Sequence, residues 1–62
     1  MYIMTIEEAY AEIQGFGAMN NVYNLWDALK AVEVEWDELD NHTKTAYKLV
    51  KRELEKEITN GN

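Results

Sequence analysis

No proline interrupts this chain, and glycine occurs only at Gly15, Gly17 and Gly61. Proline and glycine are the residues that stop or kink helices, so punctuation is confined to one internal point and the C-terminal end. Long helices are therefore permitted almost everywhere else. With 62 residues the chain supports one domain, residues 1–62, and a chain this short buries only about 60% of the surface its unfolded form exposes. It has no cysteine, so neither disulfides nor thiolate metal sites supplement the core. A hydrophobic fraction of 47% with seven aromatic residues still exceeds what a disordered acidic segment carries.

Hydrophobic periodicity predicts three helices, over residues 5–15, 20–34 and 40–59. Thr5-Ile6-Glu7-Glu8 has the form of a capping box. Ile6, Ala9, Tyr10 and Ile13 then recur on one face. Gly15-Phe16-Gly17 reads as the break, with Asn20 or Asn21 capping a second helix whose stripe is Val22, Leu25, Trp26, Leu29 and Val32. Residues 32–36 alternate as a strand would, yet the run is short and has no partner, so it reads as a helix end and connector. Trp36 and Leu39 drop onto the core from a tight turn, and Asp40 or Asn41 caps the last helix. That helix carries Ala46, Tyr47, Val50, Leu54 and Ile58 on its apolar face. The expected fold is all-α, a small three-helix bundle.

The composition excludes much chemistry. Without serine or cysteine, the Ser-His-Asp and Cys-His nucleophilic schemes have no nucleophile. One histidine, His42, cannot build a histidine zinc site and reads as an exposed first-turn residue. The run Asp37-Glu38-Leu39-Asp40-Asn41 fails the calcium-loop pattern, with leucine at a ligand position and no glycine turn. Gly15 and Gly17 precede neither a lysine nor a strand-helix turn, so no phosphate loop is present. No catalytic residue, metal or cofactor is expected, and the chain does not read as an enzyme. No apolar run reaches the roughly 18 residues of a membrane span, and the N-terminus lacks the pattern of a signal peptide. Asn41-His42-Thr43 fits a glycosylation acceptor without other support for secretion, so the expected compartment is the cytoplasm.

Charge distribution is the most informative feature. Residues 1–42 hold nine acids against Lys30 alone, a net of −8, while residues 43–62 hold five bases against three acids, a net of +2. Glu33, Glu35, Asp37, Glu38 and Asp40 cluster around Trp36, a pattern suited to a basic protein surface. The same charges also serve solubility. Phe16, Tyr23, Trp36 and Tyr2 are left over from the core stripes, and aromatic side chains of this kind anchor interfaces; Trp26 and Tyr10 are assigned to the core. A formal net charge of −6 argues against direct nucleic-acid binding.

The predicted function is a small acidic protein-protein interaction module. The predicted partner-binding residues are Trp36, Glu33, Glu35, Asp37, Glu38, Asp40, Tyr23 and Phe16, and the predicted partner is another protein with a basic surface. Two alternatives stand beside it. One is a DNA mimic occupying a nucleic-acid-binding protein. The other is a homodimeric assembly protein in which the basic stripe of the last helix, Lys44, Lys48, Lys51, Arg52 and Lys56, meets the acidic connector of a second copy. In size and charge the chain is similar to the small acidic proteins with which bacteriophages bind and block host proteins. That similarity of character rests on no motif, and it implies an inhibitor.

Overall fold

A computed structural model describes residues 3–60, the last two as backbone only. Three α-helices and one 3-10 turn make up the fold: α1 (Ile6–Met19), α2 (Leu25–Val34), the turn Trp36–Glu38, and α3 (Asn41–Asn60). No strand occurs among the described residues. The all-α three-helix reading holds, with two boundaries moved.

The capping box at Thr5 forms as expected: Glu8 N–H donates to Thr5 Oγ1 at 3.1 Å and Thr5 N–H donates to Glu8 Oε1 at 3.1 Å. The helix then runs through Gly15-Phe16-Gly17 to Met19 instead of ending at Gly15. Two interior glycines cost about 1 kcal/mol each. Burial offsets that cost, because Ile13 and Gly17 are buried and Phe16 packs against the core. The stop signal lies further on. Asn21 adopts a left-handed φ of 59°, Val22 N–H reaches back to Gly17 C=O at 2.8 Å, and Asn21 N–H to Ala18 C=O at 3.1 Å. This is a Schellman motif with asparagine in the position glycine commonly holds.

That motif occupies the residues expected to begin the second helix, so the cap moves from Asn20 or Asn21 to Asn24. Asn24 Oδ1 accepts from Trp26 N–H at 2.9 Å and from Asp27 N–H at 3.3 Å. The expected stripe is largely kept, with Val22 and Leu25 packed against the core. Ala28, Leu29 and Val32 enter the core, whereas Trp26, assigned to the core from its spacing, is 37% exposed.

Ala9 and Ile13 of α1, Ala28, Leu29 and Val32 of α2, and Ala46, Tyr47 and Val50 of α3 build the core with Met4. α1 makes the broad interfaces with both other helices, which touch each other only narrowly. The apolar stripe of α3 is used mainly in its first half: Ala46 and Val50 are fully buried, Leu54 is partly buried and Ile58 is exposed. Its length explains this, since 20 residues span about 30 Å and α1, with 14, only about 21 Å.

Candidate functional site

The acidic connector between α2 and α3 is a short, internally bonded turn. Glu38 N–H donates to Glu35 C=O at 2.9 Å and Leu39 N–H to Trp36 C=O at 3.2 Å. The turn points Trp36 and Leu39 inward, where both pack against the core. Trp36 meets Tyr47 edge to face, with ring centroids 5.0 Å apart, an arrangement worth about 0.5–1.5 kcal/mol beyond area burial. Lys44 Nζ lies over the indole at 5.5 Å from the centroid. Trp36 is therefore half-buried and braced from α3, so its ring serves as a strut under the turn and not as a projecting anchor.

The five connector acids divide by what they bond. Glu33 accepts a hydrogen bond from the Tyr47 hydroxyl, which in turn accepts from Lys51 Nζ at 3.3 Å, linking α2 to α3 where their packing is narrow. Burial first, and then the Glu33 hydrogen bond, push the Tyr47 phenol above its ordinary value, while the same hydroxyl raises Lys51. Asp40 caps α3, accepting from Thr43 N–H at 3.0 Å, and that bond holds its carboxyl below the usual aspartate value. Glu35, Asp37 and Glu38 are exposed, and their carboxylates make no hydrogen bond or ion pair within the described chain. Val34 beside them is 85% exposed. A shallow hollow is lined by residues 33–38.

The structure does not gather all the candidate residues into one surface. Phe16 is half-buried against the core from α1, and Tyr23, 81% exposed, lies in the α1–α2 corner at the opposite end of α2 from the connector. Tyr2 lies outside the described residues. Met19, Val34 and Trp26 are exposed apolar residues that periodicity assigned to a helix, loop or core without marking them as surface. His42 is exposed as expected, and it lies 3.5 Å from Glu12, which also accepts from Thr43 Oγ1 at 3.2 Å. Glu12 thus ties α1 to the first turn of α3.

Among the described residues no group of three or more histidine or acidic side chains is placed to hold a metal ion. No helix there is long and apolar enough to cross a membrane. No family model matches this chain, and neither a curated protein nor a solved structure is found similar to it.

Proposed function

We propose that this is a protein-binding module whose acidic turn docks on a basic surface of another protein, with inhibition of that partner as its consequence. One observation carries the reading: Glu35, Asp37 and Glu38 are unpaired on a turn fixed by its own backbone bonds and by Trp36 beneath it. Fixed, unpaired carboxylates lose little conformational freedom on binding and form charge-assisted contacts to lysine or arginine. Val34 supplies the exposed apolar contact that Trp36 does not. The reading assigns the protein no chemistry of its own and places it in the cytoplasm, in keeping with a chain that lacks cysteine.

Affinity capture from a cell lysate at low and high salt, with the parent and with E35Q/D37N/E38Q, tests the proposal. The expected result is a discrete basic protein retained by the parent, partly salt-resistant, and lost with the triple variant while the helical circular dichroism is unchanged. Capture that survives neutralisation overturns it. Capture that collapses uniformly with salt and recovers only nucleic-acid-binding proteins favours the DNA mimic. A concentration-dependent dimer in sedimentation, broken by the same triple variant, favours self-assembly.

A further inference from the structure

We propose that the exposed face of α3 holds a second contact for the same partner: Lys48 and Arg52 take an acidic segment of the protein whose basic surface takes the turn. The partner's identity rests on the acidic-turn reading; the contact itself rests on α3.

Spacings of three and four put Lys44, Lys48, Lys51, Arg52 and Glu55 on one strip of α3, four bases against one acid, a net of +3. Not all of this charge is available. Lys44 Nζ lies over the Trp36 ring at 5.5 Å, and Lys51 Nζ lies over the Tyr47 ring at 5.6 Å while donating to its hydroxyl. Lys56, at the margin of the strip, pairs with Glu53 at 3.7 Å. Lys48 and Arg52 are exposed, and their cations make no hydrogen bond, ion pair or ring contact within the described chain. They stand one turn apart on the same helix, so their spacing is fixed before any partner arrives. Both head groups form charge-assisted hydrogen bonds to carboxylates, and the guanidinium can do so with two at once.

The spent lysines show where this strip lies. Lys44 over Trp36 sets its N-terminal end beside the acidic turn, and the bonds from Lys51 through Tyr47 to Glu33 join its flank to the end of α2. Lys48 and Arg52 follow Lys44 by about 6 and about 12 Å along the helix, distances on the scale of the Debye length of about 8 Å at physiological salt. A positive zone and a negative zone therefore adjoin, and whatever binds one feels the other.

That adjacency selects the occupant. A nucleic acid or an anionic bilayer extends well past the strip and brings further negative charge against Glu35, Asp37 and Glu38, on a chain whose formal net charge is already −6. An acidic protein segment is bounded. Carboxylates opposite Lys48 and Arg52, with lysine or arginine beyond them opposite the turn, match both zones at once. The same two cations repel a uniformly basic surface such as a nucleic-acid-binding cleft.

The probe is a synthetic peptide with a glutamate block followed by a lysine block, titrated into 15N-labelled protein. Comparison ligands are a peptide of the same composition in alternation, peptides of glutamate alone and of lysine alone, a short DNA duplex, and phosphatidylserine vesicles. The block peptide is expected to move the amides of Lys48 and Arg52 together with those of Asp37 and Glu38, and to bind at least about fivefold more tightly than the alternating one. K48Q/R52Q weakens its binding about fivefold, the effect of losing two exposed charge pairs, with unchanged circular dichroism; K30Q, which removes the exposed lysine of α2, changes it less than about twofold. The α3 contact is overturned if K48Q/R52Q binds like the parent or if the alternating peptide binds as tightly. It is also overturned if the duplex or the vesicles move Lys48 and Arg52 as strongly as the block peptide, or if these amides move with protein concentration alone, which assigns the strip to a second copy. The single-sign peptides separate the two readings. A lysine peptide that moves the turn amides, beside a glutamate peptide that leaves Lys48 and Arg52 unmoved, removes the α3 contact alone; the reverse removes the acidic-turn reading alone.

Discussion

Gly15 and Gly17 sit two residues apart in α1, and exchanging each for alanine is expected to move stability in opposite directions. A Cβ on Gly15 meets nothing within 4 Å. Alanine there gains the helix preference that glycine lacks, about 1 kcal/mol, at no steric cost. An unfolding entropy of about 2.1 cal/mol/K per residue amounts to about 0.13 kcal/mol/K for this chain, so the gain raises Tm by about 8 °C. A Cβ on Gly17 falls 2.6 Å from the Val22 carbonyl oxygen and 3.0 Å from Ala28 Cβ. The first of these is backbone and is held by the Schellman turn, so relief requires parting α1 from α2 or opening the turn. Overpacking of this kind costs about 3 kcal/mol, the upper part of the usual range, against the same gain of about 1 kcal/mol. The net loss of about 2 kcal/mol lowers Tm by about 15 °C, a large share of the roughly 3–9 kcal/mol expected for a domain of this length. Thermal unfolding followed by circular dichroism at 222 nm measures both. A Gly17→Ala protein that melts at or above the parent refutes the close-approach argument. A Gly15→Ala protein that melts below it shows that α1 does not continue through Gly15.

Three further outcomes are expected. Asn24→Ala removes the side chain that bonds Trp26 and Asp27 N–H and lowers stability in urea by about 1 kcal/mol without changing the m-value; an unchanged midpoint would mean α2 begins elsewhere. Tyr47→Phe deletes the hydroxyl joining Glu33 to Lys51 at a cost of about 1 kcal/mol, and adding Lys51→Met to that variant then costs little more if the link acts as one unit. The Tyr47 and Tyr10 phenols and the Lys51 ammonium are all raised in the folded state. Their stabilising effect is fully present below the ordinary tyrosine value of 10.0 and is lost as pH rises through the folded values. Urea midpoints measured from pH 8 to 11 should fall, and Tyr47→Phe should flatten the fall; a flat parent profile contradicts the assignment.

Local chemistry was readable wherever a signal acts within a few residues. The Thr5 capping box, the Asp40 cap, the tight turn at residues 36–39 and the three-four stripes through Ile13, Leu29, Val32, Ala46 and Val50 all follow from short-range geometry. So did the unequal distribution of charge, because acids and lysines count the same however the chain folds. What the tertiary structure decided concerns residues whose role depends on a neighbour distant in sequence. Gly15 and Gly17 resembled a helix stop, yet Gly17 is a contact point for Ala28 eleven positions on, and the helix end is set by Asn21. Trp36 read both as dropping onto the core and as an interface anchor; Tyr47 and Lys44 of α3 hold its ring, and Glu33 is likewise committed to Tyr47. Trp26 kept the spacing of a core residue, yet Ala28, Leu29 and Val32 take the buried face of α2 and leave it 37% exposed. Sequence periodicity names which residues can share a helical face; only packing between helices determines which faces are covered and which acids remain unpaired.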